Sequence, residues 1–483
     1  MYTDTKAKYS LGNIESDWVK LEKGVRQGCV LSPLLFSLYT EELATRIRNM
    51  DKGIKVGNSN LGILLYADDV VLIADDRDRL QEMLDVVDGY GKEFSLSFNR
   101  NKCGVLVMNE TGNNIEQFRL GNLGISNVEQ YNYLGVTFTK LGIGQAIKER
   151  ISRANQWWGR LGSIVSFRSN KYEVVRGIWK SVAVPGLLYG MDTVRWSQEN
   201  LEKMEKIQNR VGRLGLGANG MVGTEAIRGD MGWSTFEERI FKGSLKYKSR
   251  LEQMNEQRWA RKVYLETASK SKYIVNCSTI ANKCGFIRRW NVEENANGVV
   301  IEWKLGLDLE GEEDMGYDRN KWKKCINVKV GNFGLNKWRA GMSGKPTLSR
   351  YSLKPKPKVE QFYSGNQGSA LLFKCRTNSL ELNNRTHRFN ELRSRRCNNC
   401  RMGMDESIEH VFFECLGYVN MRLRVLGKYK EILGESKYEE VFEGEDVLPF
   451  LFGLMESTPI EIVEATKEYL CEVWNGRKVM GDM

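Results

Sequence analysis

No stretch of this chain approaches the ~18 uninterrupted apolar residues that a membrane-spanning helix needs. The N-terminus, Met1-Tyr2-Thr3-Asp4-Thr5-Lys6, also lacks the apolar core of a signal peptide. Neither a membrane span nor secretion is expected, so the location reads as intracellular, nuclear or cytoplasmic, with no membrane partner. Histidine is scarce, with 2 in 483 residues, so each one matters. No low-complexity tract suggests wholesale disorder, and no internal repeat is found. Acids are outnumbered, 61 against 72 Lys and Arg, for a net charge of +11 and a pI near 9.0. That balance suits a polyanionic partner, although charge alone is weak evidence for one. Ten cysteines without a secretory signal read as reduced thiols or metal ligands rather than a disulfide framework. The length allows about three domains.

The most informative feature present is Tyr66-Ala67-Asp68-Asp69, set between the apolar runs Ile63-Leu64-Leu65 and Val70-Val71-Leu72-Ile73. Each run is too short for a helix and strongly β-prone, so the spacing predicts a hairpin with two carboxylates at its tip. Tight hairpins favour Asn-Gly or Asp-Gly, and Asp-Asp is a poor substitute. Adjacent like charges repel, and a divalent cation removes that cost; hard oxygen donors suit magnesium. The bland alternative is a solvated turn.

Upstream, Gly24-Val25-Arg26-Gln27-Gly28-Cys29-Val30-Leu31-Ser32-Pro33 leads into an amphipathic stretch. Ser32 suits an N-cap and Pro33 the first helical position, with Phe36, Tyr39, Leu43 and Ile47 as the expected buried stripe. Capping explains Ser32 and Pro33 but not the glycines flanking Arg26-Gln27. Those would let backbone approach a ligand at a helix N-terminus.

In this order, the two segments resemble the palm of reverse transcriptases, and most closely those of non-LTR (LINE-type) retrotransposons. Gly24 to Pro33 is similar to the motif that contacts template and nucleotide, and Tyr66 to Asp69 to the YxDD catalytic motif. Leu96-Ser97-Phe98-Asn99, with Lys102 beyond it, resembles the motif after the catalytic hairpin. Tyr131-Asn132-Tyr133-Leu134-Gly135-Val136 resembles the primer grip. The resemblance implies two-metal nucleotidyl transfer, an in-line displacement in which the protein mainly positions reactants and stabilises charge. By it, Asp68 and Asp69 bind Mg2+, Tyr66 packs near the nucleotide, and Arg26, Gln27 and Gly28 steady template and dNTP. Lys102 would sit near the pyrophosphate, and Tyr133, Leu134 and Gly135 would hold the primer. It also requires another carboxylate on an upstream strand. Asp4, Glu15, Asp17 and Glu22 do not lie in an apolar strand followed by a helix. The chain is therefore read as N-terminally truncated and inactive alone, with a separate polypeptide as a source of the missing half.

Asp75 and Asp76 suit the start of a helix carrying Leu80, Met83, Leu84, Val87 and Tyr90, and Gly104 to Met108 reads as a strand. Beyond residue 126 the pattern is helical. Lys148, Arg150 and Arg153 with Trp157 and Trp158 offer a basic aromatic face, although paired tryptophans more often belong to a core. A helix should begin after Ser197, bury Leu201, Met204, Ile207 and Val211, and stop at Gly215 to Gly220. Residues 221–340 read as alternating helices without a chemical motif. Pro346, Pro355 and Pro357 among Gly, Ser and Lys suggest a basic linker or extended loop.

Cys397-x2-Cys400-x9-His410-x4-Cys415 is the second site-like pattern. Three thiolates and one imidazole match a closed tetrahedral zinc site, against a null of unrelated buried cysteines. Six arginines between 385 and 401 lie beside it, against the single acid Glu391, which favours a grip on RNA or DNA phosphates. His387 has no partner pattern. Glu461 to Trp474 reads as a closing helix.

The expected architecture is α/β, a partial right-hand palm (1–125), followed by a mostly α-helical thumb (126–220) and connector (221–385). A small zinc-binding basic tail (386–483) ends it. The expected function is RNA-directed DNA polymerisation with RNA template, DNA primer or target and dNTP. The rival is a noncatalytic nucleic-acid-binding remnant using thumb and zinc tail. A magnesium nuclease would leave Gly24 to Pro33 unexplained.

Overall fold

Asp76 caps the helix Arg77–Glu93, its carboxylate accepting from the Arg79 amide at 2.9 Å, while Asp75 pairs with the Arg79 guanidinium. Both acids are thus used locally, as their position before an apolar periodic stretch predicts. A computed structural model describes residues 5–21, 24–26, 28–108, 117–165, 170–267, 271–295, 298–306 and 319–481. The chain forms two compact units, Met1–Gly144 with Met254–Lys270, and Gln145–Gln253 with Ser271–Met483. Among the described residues no helix is long and apolar enough to cross a membrane.

In the first unit, helix Ser32–Asn49 and helix Arg77–Glu93 pack against the hairpin Ile63–Tyr66/Asp69–Leu72. Leu43, Ala44, Ile47, Ile63, Met83, Val87 and Tyr90 form the buried centre of that core. A two-stranded hairpin is marginal by itself, and the helices supply the burial it lacks. Helical periodicity locates most of this. Three local expectations fail. Ser32 is the first helical residue rather than the cap, and its hydroxyl donates to the Arg26 carbonyl at 2.7 Å. Only the C-terminal half of the expected stripe is buried: Leu43 and Ile47 are covered, Phe36 is half-buried and Tyr39 is exposed. Gly104 to Met108 forms no strand; Val105 alone bridges to Asn127. Every sheet among the described residues has two strands, so no neighbouring strand is there to extend that segment. Helix Trp259–Thr267 joins this unit, with Lys262 Nζ donating to Ser59 Oγ at 2.8 Å.

The second unit is helical except for the hairpin Ile287–Asn295/Gly298–Gly306, a departure from the helical reading of 221–340. The β-branched run Val299-Val300-Ile301 after Gly298 was the signal for it. Helix Gln198–Leu216 matches expectation at both ends. Ser197 accepts from the Asn200 amide, and Gly217 takes φ +61° at the C-terminus, where a side chain would be strained. Helix Phe236–Glu252 starts with a full capping box between Thr235 and Glu238. The stretch containing Pro346 and Pro355 is irregular, as its prolines predict, but it is not an exposed linker. Leu348, Tyr351 and Lys354 are buried. The reason is Asp230, a fully buried carboxylate that draws them in. It accepts from Tyr351 and Tyr363 at 2.6 Å each, from Lys354 at 2.8 Å and from Arg376 at 3.0 Å. The C-terminal helix runs Ile460–Gly481, longer than expected, and packs on helices Gln367–Arg376 and Val419–Leu433.

Candidate catalytic hairpin and candidate metal centre

The hairpin places Ala67 and Asp68 in a two-residue turn, with Tyr66 opposite Asp69. Ala67 takes φ +52°, a left-handed conformation that costs a residue with a Cβ about 1–2 kcal/mol. A two-residue hairpin turn requires a positive φ at this position, which glycine or asparagine would meet with less strain. Tyr66, Asp68 and Asp69 are all exposed. Neither carboxylate forms an ion pair or a hydrogen bond among the described residues, so both keep their oxygens available.

A second hairpin is formed by Gln130–Tyr133/Val136–Thr139. Burial raises the Tyr131 and Tyr133 phenols above their ordinary range, and the Asp69 carboxylate raises both further. Asp69 is therefore within electrostatic reach of this second hairpin. Its turn, Leu134-Gly135, has φ +49° and +75°, the paired positive values of a type I′ turn, and Asn132 Oδ1 accepts from the Gly135 amide. Lys102 is exposed and joins the same neighbourhood through its backbone, since Tyr131 donates to the Lys102 carbonyl at 2.7 Å.

Gly24 and Gly28 take φ +98° and +81°, values that only glycine adopts freely, and a Cβ on either would meet nothing within 4 Å. The guanidinium of Arg26 reaches Thr5 Oγ1 at 3.4 Å, and its carbonyl receives the Ser32 hydroxyl. Gln27, Asp4 and Glu22 lie outside the described residues. Among the described residues the one group of three or more potential metal ligands is the Cys/His cluster, so no third donor of that kind stands with Asp68 and Asp69.

Cys397, Cys400, His410 and Cys415 converge, their donor atoms all within 4.8 Å of one another. Cys397 Sγ and Cys415 Sγ are 3.7 Å apart, and Cys400 Sγ is 3.3 Å from His410 Nε2. Two sulfurs bound tetrahedrally to zinc at ~2.3 Å would be roughly 3.8 Å apart, whereas a disulfide needs ~2.05 Å. The geometry and the donor set both fit zinc. Burial raises the Cys397 thiol and pushes Cys415 up to about 12, while the Asn399 and Gly417 amides donate to those sulfurs and oppose the shift. His410 begins a single π turn, His410–Glu414, which turns Nε2 to the thiols and Nδ1 to Glu414 Oε2 at 3.2 Å. Glu414 is a residue that motif spacing did not flag, although a carboxylate four residues after a helical histidine is a recognisable orienting partner. The cluster rests on the C-terminal helix: Tyr469 donates to the Val411 carbonyl at 2.9 Å, and buried Glu406 accepts from Arg477. His387 is turned away to the Arg393 carbonyl. Arg388, Arg393, Arg396 and Arg401 are exposed and form no ion pair among the described residues, while Arg395 is spent on Asp405.

The basic aromatic segment differs from expectation in its allocation of side chains. Arg150 is buried and donates to the Tyr189 carbonyl, so it does not belong to a nucleic-acid face. Trp157 is half-buried and Trp158 is 38% exposed, so the pair is not core.

Comparison with known proteins bears on the first unit. The reverse transcriptase (RNA-dependent DNA polymerase) family matches residues 2–138. The Pol polyprotein of the type-1 retrotransposable element R2 from Nasonia vitripennis is 30% identical over 152 residues, 29% of this chain and 15% of that protein. The RNA-directed DNA polymerase from mobile element jockey of Drosophila funebris is 26% identical over 247 residues, 48% of this chain and 26% of that protein. The chain carries a reverse transcriptase domain of the non-LTR retrotransposon kind. The reverse transcriptase match ends within the second hairpin, at residue 138, and covers both hairpins' turns. The chain spans well under half the length of the relatives it matches, 15% and 26% for these two.

Proposed function

We propose that the first unit is the catalytic half of an RNA-directed DNA polymerase palm, acting on an RNA template, a DNA primer or target end and dNTP. The observation that carries the reading is the exposed Asp68-Asp69 tip, next to Ala67 at φ +52° and without an ion pair among the described residues, with a second hairpin that feels the Asp69 charge. Asp68 and Asp69 would hold Mg2+, which when bound supplies charge neutralisation at the attacking and leaving oxygens. Tyr66 presents an exposed ring next to them, and Arg26 with Gln27 and Gly28 steadies template and nucleotide. Lys102 would serve the pyrophosphate, and Tyr133, Leu134 and Gly135 would grip the primer. Cys397, Cys400, His410 and Cys415 would hold a structural Zn2+, with the neighbouring arginines gripping nucleic-acid phosphates.

Two carboxylates make an incomplete ligand set for two metals, and a separate polypeptide is the proposed source of another. The N-terminal half of helix Ser32–Asn49 supports this. Leu34 and Leu38 are 59% and 65% exposed there, and Val30 before it is 93% exposed. Apolar side chains gathered on one exposed face mark an interaction surface. Primer extension with magnesium tests the reading. The chain alone gives no templated product; supplying an upstream palm polypeptide restores synthesis, which Asp68→Ala abolishes without weakening RNA binding. Templated synthesis by the chain alone would overturn the claim of incompleteness. A noncatalytic nucleic-acid-binding role is favoured instead if no supplied segment restores synthesis while RNA binding persists.

A further inference from the structure

The second unit contains an open cleft of about 540 Å3 that the polymerase reading does not use. Its wall is formed by Trp158, by Lys171 at the start of helix Lys171–Ile178, and by Arg210 and Arg213 near the end of helix Gln198–Leu216. Asn366 and Gln367, at the N-terminus of the ten-residue helix Gln367–Arg376, line the opposite side. No Asp or Glu is among the lining residues. Lys171, Arg210 and Arg213 form no ion pair with a carboxylate among the described residues. Three cations sharing one cleft repel each other, and a helix N-terminus adds partial positive charge. Helix Gln198–Leu216 ends at the same cleft, where the Gly217 and Ala218 amides both donate to the Arg213 carbonyl.

The aromatic element is specific. The Arg210 guanidinium lies 3.8 Å from the centre of the Trp158 ring, and Trp158 remains 38% exposed. Stacking holds the guanidinium plane while leaving its N–H edge free for two parallel bonds to a phosphate. Arg213 is anchored differently, donating to the Val222 carbonyl at 3.1 Å, and its buried Nε has no hydrogen-bond partner among the described residues. The volume falls within the range of small-ligand sites, roughly 300–1,000 Å3. A duplex is too wide for such a cleft; one unpaired base and its phosphate are not.

We propose that this cleft binds a single nucleotide, its phosphate held by Lys171 and Arg210 and its base stacked at Trp158. The nucleotide comes from an unpaired strand or from free mononucleotide. The inference stands whether or not the first unit polymerises, because it uses no residue of that unit.

The test is fluorescence anisotropy on the full chain with a labelled single-stranded oligonucleotide. The exposed pair is replaced together, Lys171→Gln with Arg210→Gln, and compared with Lys180→Gln with Lys206→Gln, two exposed cations outside the cleft. The cleft variant should lose roughly tenfold in single-strand affinity at low salt, with a log–log salt slope shallower by about 1.4. The control pair and a blunt duplex should change less than about threefold on the same basis. Trp158→Leu should cost single-strand binding roughly fivefold or more. Competition by AMP but not inorganic phosphate identifies free nucleotide as a source; binding of the strand without AMP competition identifies the strand. Equal losses in cleft and control variants, or for duplex and single strand, would overturn the proposal. A photocrosslink from a 5-iodouracil strand to unaltered protein must map to the peptide containing Trp158, and its absence there overturns the proposal independently of any variant's folding.

Discussion

Asp230→Asn would remove one charge from the centre of the second unit with almost no change in volume. In the native chain Asp230 and Glu360 balance Lys354 and Arg376, with Arg376 2.8 Å from Glu360 and the four side chains almost wholly removed from water. Asparagine leaves two cations facing one carboxylate. Its amide also points a donor at groups that donate, where Tyr351, Tyr363, Lys354 and Arg376 now find acceptors. Removing one partner from a buried ion network costs about 3–5 kcal/mol, because the remaining charge stays buried. Against a typical domain stability of about 5–15 kcal/mol, a fifth or more would go. Urea unfolding followed by tryptophan fluorescence reads this directly, since all the tryptophans but Trp18 and Trp259 lie in the second unit. Adding Lys354→Met restores neutrality and should recover about 1–3 kcal/mol. A loss under about 1 kcal/mol, or simple addition of the two penalties, would refute the charge-balance argument. The pH dependence follows with its sign. Burial acts to raise the Asp230 carboxyl, but Arg376 and Lys354 outweigh it and leave the group below its ordinary value. Its stabilising contribution is therefore complete above the unfolded pKa, about 3.9, and is lost as pH falls through the lower folded value. The gap between native and variant stability should narrow only in that acid range.

The Cys/His cluster should bind one zinc per chain by mass spectrometry, and Cys400→Ser or His410→Asn should release it while leaving Asp68-dependent synthesis chemistry untouched at the hairpin. A chain purified reduced and zinc-replete that carries no metal would contradict the geometric match at 3.7 Å. In the second hairpin, Leu134→Asn should relieve the positive φ and slow hydrogen exchange of the 130–139 amides by roughly fivefold, about 1 kcal/mol. If Leu134 serves the primer, the complemented primer-extension rate falls although the hairpin is more stable. Faster exchange would show that the leucine side chain, not the turn, dominates there.

What could be read from the chain alone was local. The start and stop of helix Gln198–Leu216, the Asp76 cap, the Tyr66–Asp69 hairpin and the four members of the Cys/His cluster all announce themselves within about twenty residues, because capping, periodicity and ligand spacing are short-range chemistry. The fate of individual side chains was not local. Arg150 lies on the stretch that was read as a basic face, yet it is buried against Tyr189, and Trp158 is out in solvent under Arg210. Half of the stripe on helix Ser32–Asn49 is only partly covered, Phe36 half-buried and Tyr39 exposed beside Phe94. The stretch with Pro346 and Pro355 has the composition of a linker, but Asp230, far away in sequence, holds it inside a core. Periodicity specifies which face of an element is apolar. Which partner meets that face, and which charges must then be paired away from water, depends on contacts over a hundred residues apart, and only the folded chain brings those together.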